Sequence, residues 1–217
     1  SGLAGGWAEE NTRESLFDAM RRKETFATSG SRIRVRSFGG AALSALDLNA
    51  SDLVATAYRI SVPMGGDLDR LAGETAPSFL VWAMRDAMTA PLQRLQIVKG
   101  WAVGAETHER VYDVACSDGL SVDETTHRCP DNGADVELAT CVASADVGAA
   151  ELKTLWTDPD FDANRSAFYY VRVLENPTCR WSTYDAIRLG TPPNPRVPAT
   201  IRERAWSSPI WIDPANG

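Results

Sequence analysis

Asp158, Asp160, Asp162 and Asn164 put four oxygen-bearing side chains at alternate positions, the spacing with which a calcium loop begins. The match stops there: the sixth position is Ala163, where the sharp turn wants glycine, and the twelfth is Tyr169, where a bidentate glutamate should close the shell. These four residues are the chain's weak metal candidates, set against a plain Asx-type turn begun by Pro159. The two histidines, His108 in a strand signal and His127 in a polar loop, cannot assemble a histidine-rich metal centre. No Gly-x-Ser-x-Gly turn is present to present a nucleophile, and Gly5-Gly6, Gly39-Gly40 and Gly65-Gly66 read as turns rather than phosphate-cradling loops. No complete catalytic constellation emerges from the residues, and no cofactor site is expected in this chain.

Cys116, Cys129, Cys141 and Cys179 are even in number and contain no Cys-x-x-Cys pair of the kind structural zinc sites use, so they are read as disulfide partners. Of the three possible pairings, the residues favour Cys116 with Cys129 across the polar loop 117–133 and Cys141 with Cys179 between strands. Bridges imply an oxidising compartment, periplasmic or extracellular. Arg32, Arg34 and Arg36 alternate with Ile33, Val35 and Ser37, a strand with one wet face whose guanidinium groups can clamp an anion, sit in solvent, or meet an acidic partner domain. Trp82, Trp101, Trp156, Trp181 and Trp211 raise a sugar-stacking face, against the plainer reading of core and interface tryptophans.

The elements that must position these residues centre on Ser166–Leu189, whose bulky and β-branched residues on both parities predict a central strand ended by Pro177. Arg180, Trp181 and Tyr184 after it are expected to lock the strand end. Further strand signals lie at Arg32–Ser37, Leu53–Val62, Ser78–Arg85, Gln93–Ala102, Glu106–Cys116, Ala134–Cys141, Ala149–Trp156 and Ser208–Ile212, and 190–200 is a proline-rich connection. Trp7–Phe26 reads as a helix with Asn11 as N-cap, Glu14 completing a capping box, and Leu16, Phe17 and Met20 on one face. The expected fold is mainly β: an antiparallel two-sheet β-sandwich with one N-terminal α-helix. A net charge of −7 without a basic stripe argues against a nucleic-acid partner, and the apolar runs are far shorter than a membrane span. Ser1, with neither an initiator methionine nor a leader behind it, reads as a boundary within a longer protein.

The stretches LAGGWAEENTRESLFDAMRRKETFATSGSRIRVR, PMGGDL, QIVKGWAVGAETHERVYDVA, AAELKTLWTDPDFD, FYYVRVLENPTCRWSTYDAIRLG and RERAWSSPIW together resemble the C-terminal part of the bacterial family called domain of unknown function 3604. That family is similar to the polymerase and histidinol phosphatase (PHP) metallohydrolases, whose distorted barrel holds several metals through His and Asp clusters. The family's His-x-His and Asp-x-His motifs have no counterpart here, so the resemblance carries no metal ligand onto this chain. It implies that residues 1–30 are the helical end of an upstream PHP-like barrel and residues 31–217 an appended β-sandwich. It also implies that the junction residues Thr28, Ser29 and Arg32, with Arg34 beyond them, lie near the barrel mouth. The divalent metals and catalysis are then expected in the upstream domain of the same polypeptide, a hydrolase of phosphoesterase type, and this region is expected to serve docking and to shape the cleft. A glycan- or calcium-binding sandwich module is the alternative.

Overall fold

The computed structural model describes residues 2–68 and 75–213. In chain order the strands are β1 Leu3–Gly6, β2 Thr25–Thr28, β3 Arg34–Gly40, β4 Val62–Pro63, β5 Asp67–Leu68, β6 Ser78–Met84, β7 Leu92–Val103, β8 Glu106–Cys116, β9 Val136–Glu137, β10 Val142–Ala143, β11 Glu151–Thr157, β12 Ala167–Glu175, β13 Thr178–Cys179, β14 Thr200–Ile201, β15 Arg204–Ser207 and β16 Ile210–Ile212. The helices are α1 Arg13–Arg21, α2 Leu53–Ile60 and α3 Trp181–Leu189.

The larger sheet is built around β12, as its sequence predicts. One edge of β12 pairs with β7, and β7 pairs with β8 in a long hairpin. The other edge pairs with β15 over Arg172–Leu174 and with β16 over Ala167–Tyr169. Beyond these, β2 and β1 extend the sheet past β15, so the first thirty residues share this sheet with the rest of the chain, and β5 adds to β16 in the one parallel pair among the described residues. The smaller sheet, in the order β11-β6-β3-β4, is antiparallel throughout.

Alternation of side chains across each strand then makes the sandwich. Val35, Phe79, Val81 and Ala83 from the smaller sheet meet Leu95, Ile97, Tyr112, Tyr169, Val171 and Ile210 from the larger one in a single apolar core. The opposite face of the smaller sheet is half covered as well: Phe38 and Leu80 are buried beneath Leu43, Leu53 and Ala57, which belong to a 3-10 turn and to α2.

Four local expectations change. Leu53–Val62, read as a strand, is α2 for most of its length, because Leu53 and Ala57 at helical spacing are buried against the sheet with Val54 and Ile60 packed partly beside them, while Ala55, Tyr58 and Arg59 are exposed. Trp181–Leu189 is a helix rather than a lock on the strand end, and Trp181 is largely exposed. The described residues therefore hold three α-helices where one was expected. Residues 134–141 supply only the two-residue pairing of β9 with β10. The first helix is also shorter than Trp7–Phe26, and its N-cap is Thr12, whose Oγ1 accepts from Ser15 N at 3.3 Å, one residue later than Asn11.

Helix α1 ends in a Schellman arrangement: Glu24 N donates to Ala19 O and Lys23 N to Met20 O, each at 3.0 Å, which puts Lys23 at φ 58°. Gly65 lies against that turn with φ +86°, and a Cβ there would stand 2.2 Å from the Lys23 carbonyl oxygen. Gly104, at φ +62°, has nothing within 4 Å of its Cβ position. Both glycines relieve left-handed strain, but only Gly65 also avoids a backbone collision. In urea unfolding of the purified chain, Gly104→Ala should therefore cost about 1 kcal/mol and Gly65→Ala roughly 3 kcal/mol or more. Equal costs would mean that the α1 turn gives way freely.

Candidate functional site

Arg34 and Arg36 project from the face of β3 opposite to Val35, away from the core. Their neighbours across the strand are Met84 and Trp82 of β6, and Lys153 of β11 lies opposite Trp82 in turn. This is the end of the smaller sheet's outer face that α2 leaves bare, so a cationic and aromatic row stands beside the helix. Trp7 closes one side. Its Nε1 donates to the Val35 carbonyl at 2.8 Å, which seats the indole ring beside β3 with the Arg36 guanidinium carbon 3.7 Å from the ring centroid.

Tyr58 of α2 stands 5.8 Å from the same guanidinium and donates its hydroxyl to Glu24 Oε1, while Arg22 Nη2 lies 3.6 Å from Glu24 Oε2. Burial, the hydrogen bond to Glu24 and the Glu24 charge push the Tyr58 hydroxyl up to about 12. Burial lowers the Arg36 pKa, against the attraction of Tyr58 and Glu24. Arg36 divides two clefts. One, of about 480 Å³, includes Glu9, Arg22, Glu24 and Tyr58 in its lining. The other, of about 200 Å³, is lined by Trp7, Arg34, Arg36, Val54, Trp82 and Met84, with no carboxylate among the described residues that line it.

The junction residues lie apart from this cleft. Ser29 Oγ donates to the Glu203 carboxylate and accepts from Arg204 N at 2.9 Å, and Arg32 N donates to Asp86 Oδ2 at 2.9 Å. Thr28, Ser29 and Arg32 thus join β2 to the start of β15 and to the loop after β6, whereas Arg34 belongs to the cleft. Sequence reasoning did not find the acid at the end of β12. Glu175 is 1% exposed, and its Oε1 accepts from Thr89 Oγ1 at 2.8 Å. Its Oε2, together with the buried Ser31 and Thr28 hydroxyls, has no partner of hydrogen-bond geometry among the described residues. Burial raises the Glu175 carboxyl to about 7, helped by the Glu203 and Asp86 charges and opposed by the Thr89 and Ser31 hydroxyls nearby.

The calcium candidates turn toward cations and hydroxyls. Asp158 Oδ2 accepts from Lys99 Nζ at 2.6 Å and from the Tyr169 hydroxyl at 2.7 Å, and its Oδ1 accepts from Asp160 N. Asp160 Oδ2 takes the Tyr112 hydroxyl at 2.6 Å and pairs with Arg110, and Asp162 pairs with Arg165 and accepts from Asn164 N. His108 stacks on Trp101 and His127 meets the edge of Tyr112. Among the described residues no group of three or more His, Cys, Asp or Glu side chains is placed to hold a metal ion. The cysteines form Cys116–Cys129 and Cys141–Cys179, each with Cα atoms 5.6 Å apart.

A family model described as protein of unknown function (DUF3604) matches residues 1–214. No curated protein and no solved structure matches the chain.

Glu175 makes stability depend on pH in a defined direction. Its folded pKa of about 7 lies above the ordinary 4.5, so the folded chain holds a proton that the unfolded chain releases between those values. Stability is unpenalised below pH 4.5, falls as pH rises toward 7, and stays lower above it. Glu175→Gln, which keeps the shape without the charge, should raise unfolding free energy at pH 8 by on the order of 2 kcal/mol and leave it unchanged at pH 4. An equal effect at both pH values in urea titrations would assign the change to packing instead.

Proposed function

The chain belongs to the DUF3604 family, and from that premise we propose that it is the non-catalytic C-terminal β-sandwich region of a larger exported, PHP-like metal-dependent hydrolase. In that role it docks the catalytic domain and shapes one wall of the substrate cleft. The observation that carries this reading is the bare face of α1. Leu16, Phe17 and Met20 are 42%, 54% and 60% exposed although they share one side of the helix, while the residue turned inward is the small Ala19. An amphipathic helix hides such a stripe, and three large apolar side chains left in water call for a partner surface. In this reading a catalytic domain upstream in the same polypeptide supplies that surface. Both disulfides suit a periplasmic or extracellular compartment.

The metals belong to the upstream domain in this reading. Among the described residues the candidate acids do not fit such ions: the buried carboxylate of Asp158 is paired with Lys99, and Asp160 and Asp162 with arginines. What this chain contributes is shape and fixed charge.

A second reading, a saccharide-binding module, draws on one feature of the larger sheet. Phe168 and Trp211 sit opposite one another on β12 and β16 with ring centroids 5.1 Å apart, and Trp211 is 45% exposed. They wall an open cleft of about 420 Å³ floored by Gly100 and Ala102 and edged by Thr107 and Glu109.

The two readings separate in direct tests. On the docking reading, the purified chain supplied with zinc or manganese hydrolyses phenyl phosphate no faster than its heat-denatured control. The double substitution Phe17→Ser with Met20→Ser should leave the melting temperature of the chain alone nearly unchanged, yet destabilise the full-length polypeptide by roughly 2 kcal/mol. Metal-dependent turnover by the chain, or an equal loss in both contexts, would overturn it. On a glycan array the docking reading expects no binding, whereas the saccharide reading expects a signal that Trp211→Ala abolishes.

A further inference from the structure

The Arg36 guanidinium is the least explained charge in the described molecule. It is half-buried, yet it has no hydrogen-bond or ion-pair partner among the described residues, only the Trp7 ring 3.7 Å beneath it and Tyr58 farther off. Glu24, the nearest buried acid, has one oxygen taken by the Tyr58 hydroxyl and the other turned to Arg22. A guanidinium carries five donors in one plane, and withdrawing it from water without an acceptor costs free energy that a ring stack replaces only in part. The stack does something else: it holds the plane still. A guanidinium held flat against an indole keeps its in-plane donors fixed for an incoming oxyanion, which is the geometry that favours arginine over lysine in carboxylate and phosphate recognition.

The smaller of the two clefts beside Arg36 is suited to such a group. It holds two guanidinium side chains, Arg34 and Arg36, and its other lining residues are Trp7, Val54, Trp82 and Met84, all apolar or aromatic. In a chain of net charge −7, a pocket whose described lining holds two cations and no acid is a local reversal of sign. Its volume of about 200 Å³ exceeds the roughly 150 Å³ of an engineered cavity that takes up benzene, so a six-membered ring or short alkyl body fits beside the charged group. Apolar walls with a few convergent polar groups are the common make-up of small-molecule sites.

We propose that this cleft binds a small organic oxyanion, a carboxylate or phosphomonoester carried on an aromatic or apolar body, with Arg36 and Arg34 gripping the oxygens and Trp82, Met84 and Val54 enclosing the body. The proposal stands independently of the docking reading, because it uses the outer face of the smaller sheet rather than the α1 stripe.

The test titrates benzoate, phenyl phosphate, inorganic phosphate and the neutral benzyl alcohol into the intact chain, followed by calorimetry and by tryptophan fluorescence. Benzoate or phenyl phosphate should bind and quench fluorescence, and which of the two is tighter identifies the oxyanion source. Benzyl alcohol and inorganic phosphate, each lacking half of the recognition, should bind at least about tenfold more weakly. Arg36→Gln should weaken the preferred anion by about tenfold or more, with Arg36→Lys intermediate. Arg34→Gln, at an exposed position that leaves folding untouched, should weaken it too, and Phe17→Ser should not. Binding of benzyl alcohol as tight as benzoate, unaltered binding in both arginine variants, or no binding by either organic anion would overturn the proposal.

Discussion

Everything in this fold depends on satisfying both edges of β12. Along a central strand successive residues turn their backbone N–H and C=O to alternate sides, so both edges carry donors and acceptors, and buried groups of this kind are costly to leave unpaired. On one side β7 serves the whole strand, from Ala167 to Glu175. On the other, no single strand does: β15 covers the C-terminal part and β16 the N-terminal part, with Ser208 and Pro209 between them. The pairing passes from Arg172 with Trp206 to Tyr169 with Ile210, so the second edge carries one extra residue, a bulge. At the break, the Ser207 hydroxyl accepts from Val171 N at 2.9 Å and replaces the missing ladder bond. The break is also useful. Pro209 turns its carbonyl to Gly65 N at 3.0 Å, tying the loop before β5 to the same point where α1 ends.

The two ends of β12 are fastened by buried carboxyl groups in different settings, one facing a cation and one facing hydroxyls. Near its start, the Tyr169 hydroxyl and Lys99 Nζ share Asp158, the residue that follows β11. The Lys99 ammonium faces the Asp158 carboxyl, and burial, helped by the neighbouring acids, raises the Tyr169 and Tyr112 hydroxyls far above their usual range, so both remain donors. Removing one partner of so buried a pair strands the other, which gives the contact its specificity even where its net contribution to stability is small. At the far end Glu175 has a hydroxyl from Thr89 and no cation, with Glu203 and Asp86 nearby, and it resolves the conflict by holding its proton near neutral pH. A third buried acid, Asp113, is paired as Asp158 is: Arg94, Gln96 and Cys129 N all bond to it, which fixes the first disulfide loop against β7 and β8.

How much of this the sequence discloses follows from where the constraint is local. The β12 strand is legible because its residues are bulky on both parities and Pro177 follows, although only one parity is fully buried and the other is half-buried, where that pattern predicts burial on both faces. The cysteine pairs are legible because Cys116 and Cys129 bracket a polar loop. Residues 53–60 are not, because LVATAYRI mixes β-branched residues with a helical spacing of small ones, and only the presence of a half-bare sheet beneath decides for the helix. The α3 helix did leave a signal: Gly190 sits in the left-handed region after it, with Thr191 N bonded to Ala186 O and Gly190 N to Ile187 O. Its apolar residues Trp181, Ile187 and Leu189 are exposed, so no clean buried stripe announced it. Of the cleft, the alternation Arg34-Val35-Arg36 is local and was readable, whereas Trp7, Tyr58 and Trp82 arrive from three other elements through pairings that no single stretch contains.

The outer face of the smaller sheet shows why a cleft exists here at all. Across its strands the residues fall into rows: Phe38 with Leu80 and Leu155, then Arg36 with Trp82 and Lys153, then Arg34 with Met84 and Glu151. Helix α2 is only eight residues long, about 12 Å at the helical rise, and the 3-10 turn beside it is shorter still. Together they cover the all-apolar row and stop. A sheet face left half bare beside a buried one would expose Trp82 fully, and the chain instead lays cations over the aromatic rings, with Lys153 Nζ 4.8 Å from the Trp82 ring and Arg36 on Trp7. Long cationic side chains shield the rings while keeping the margin soluble, but shielding does not consume their hydrogen-bond donors. A pocket rimmed by donors and walled by carbon is therefore what remains where a short helix ends on a wider sheet.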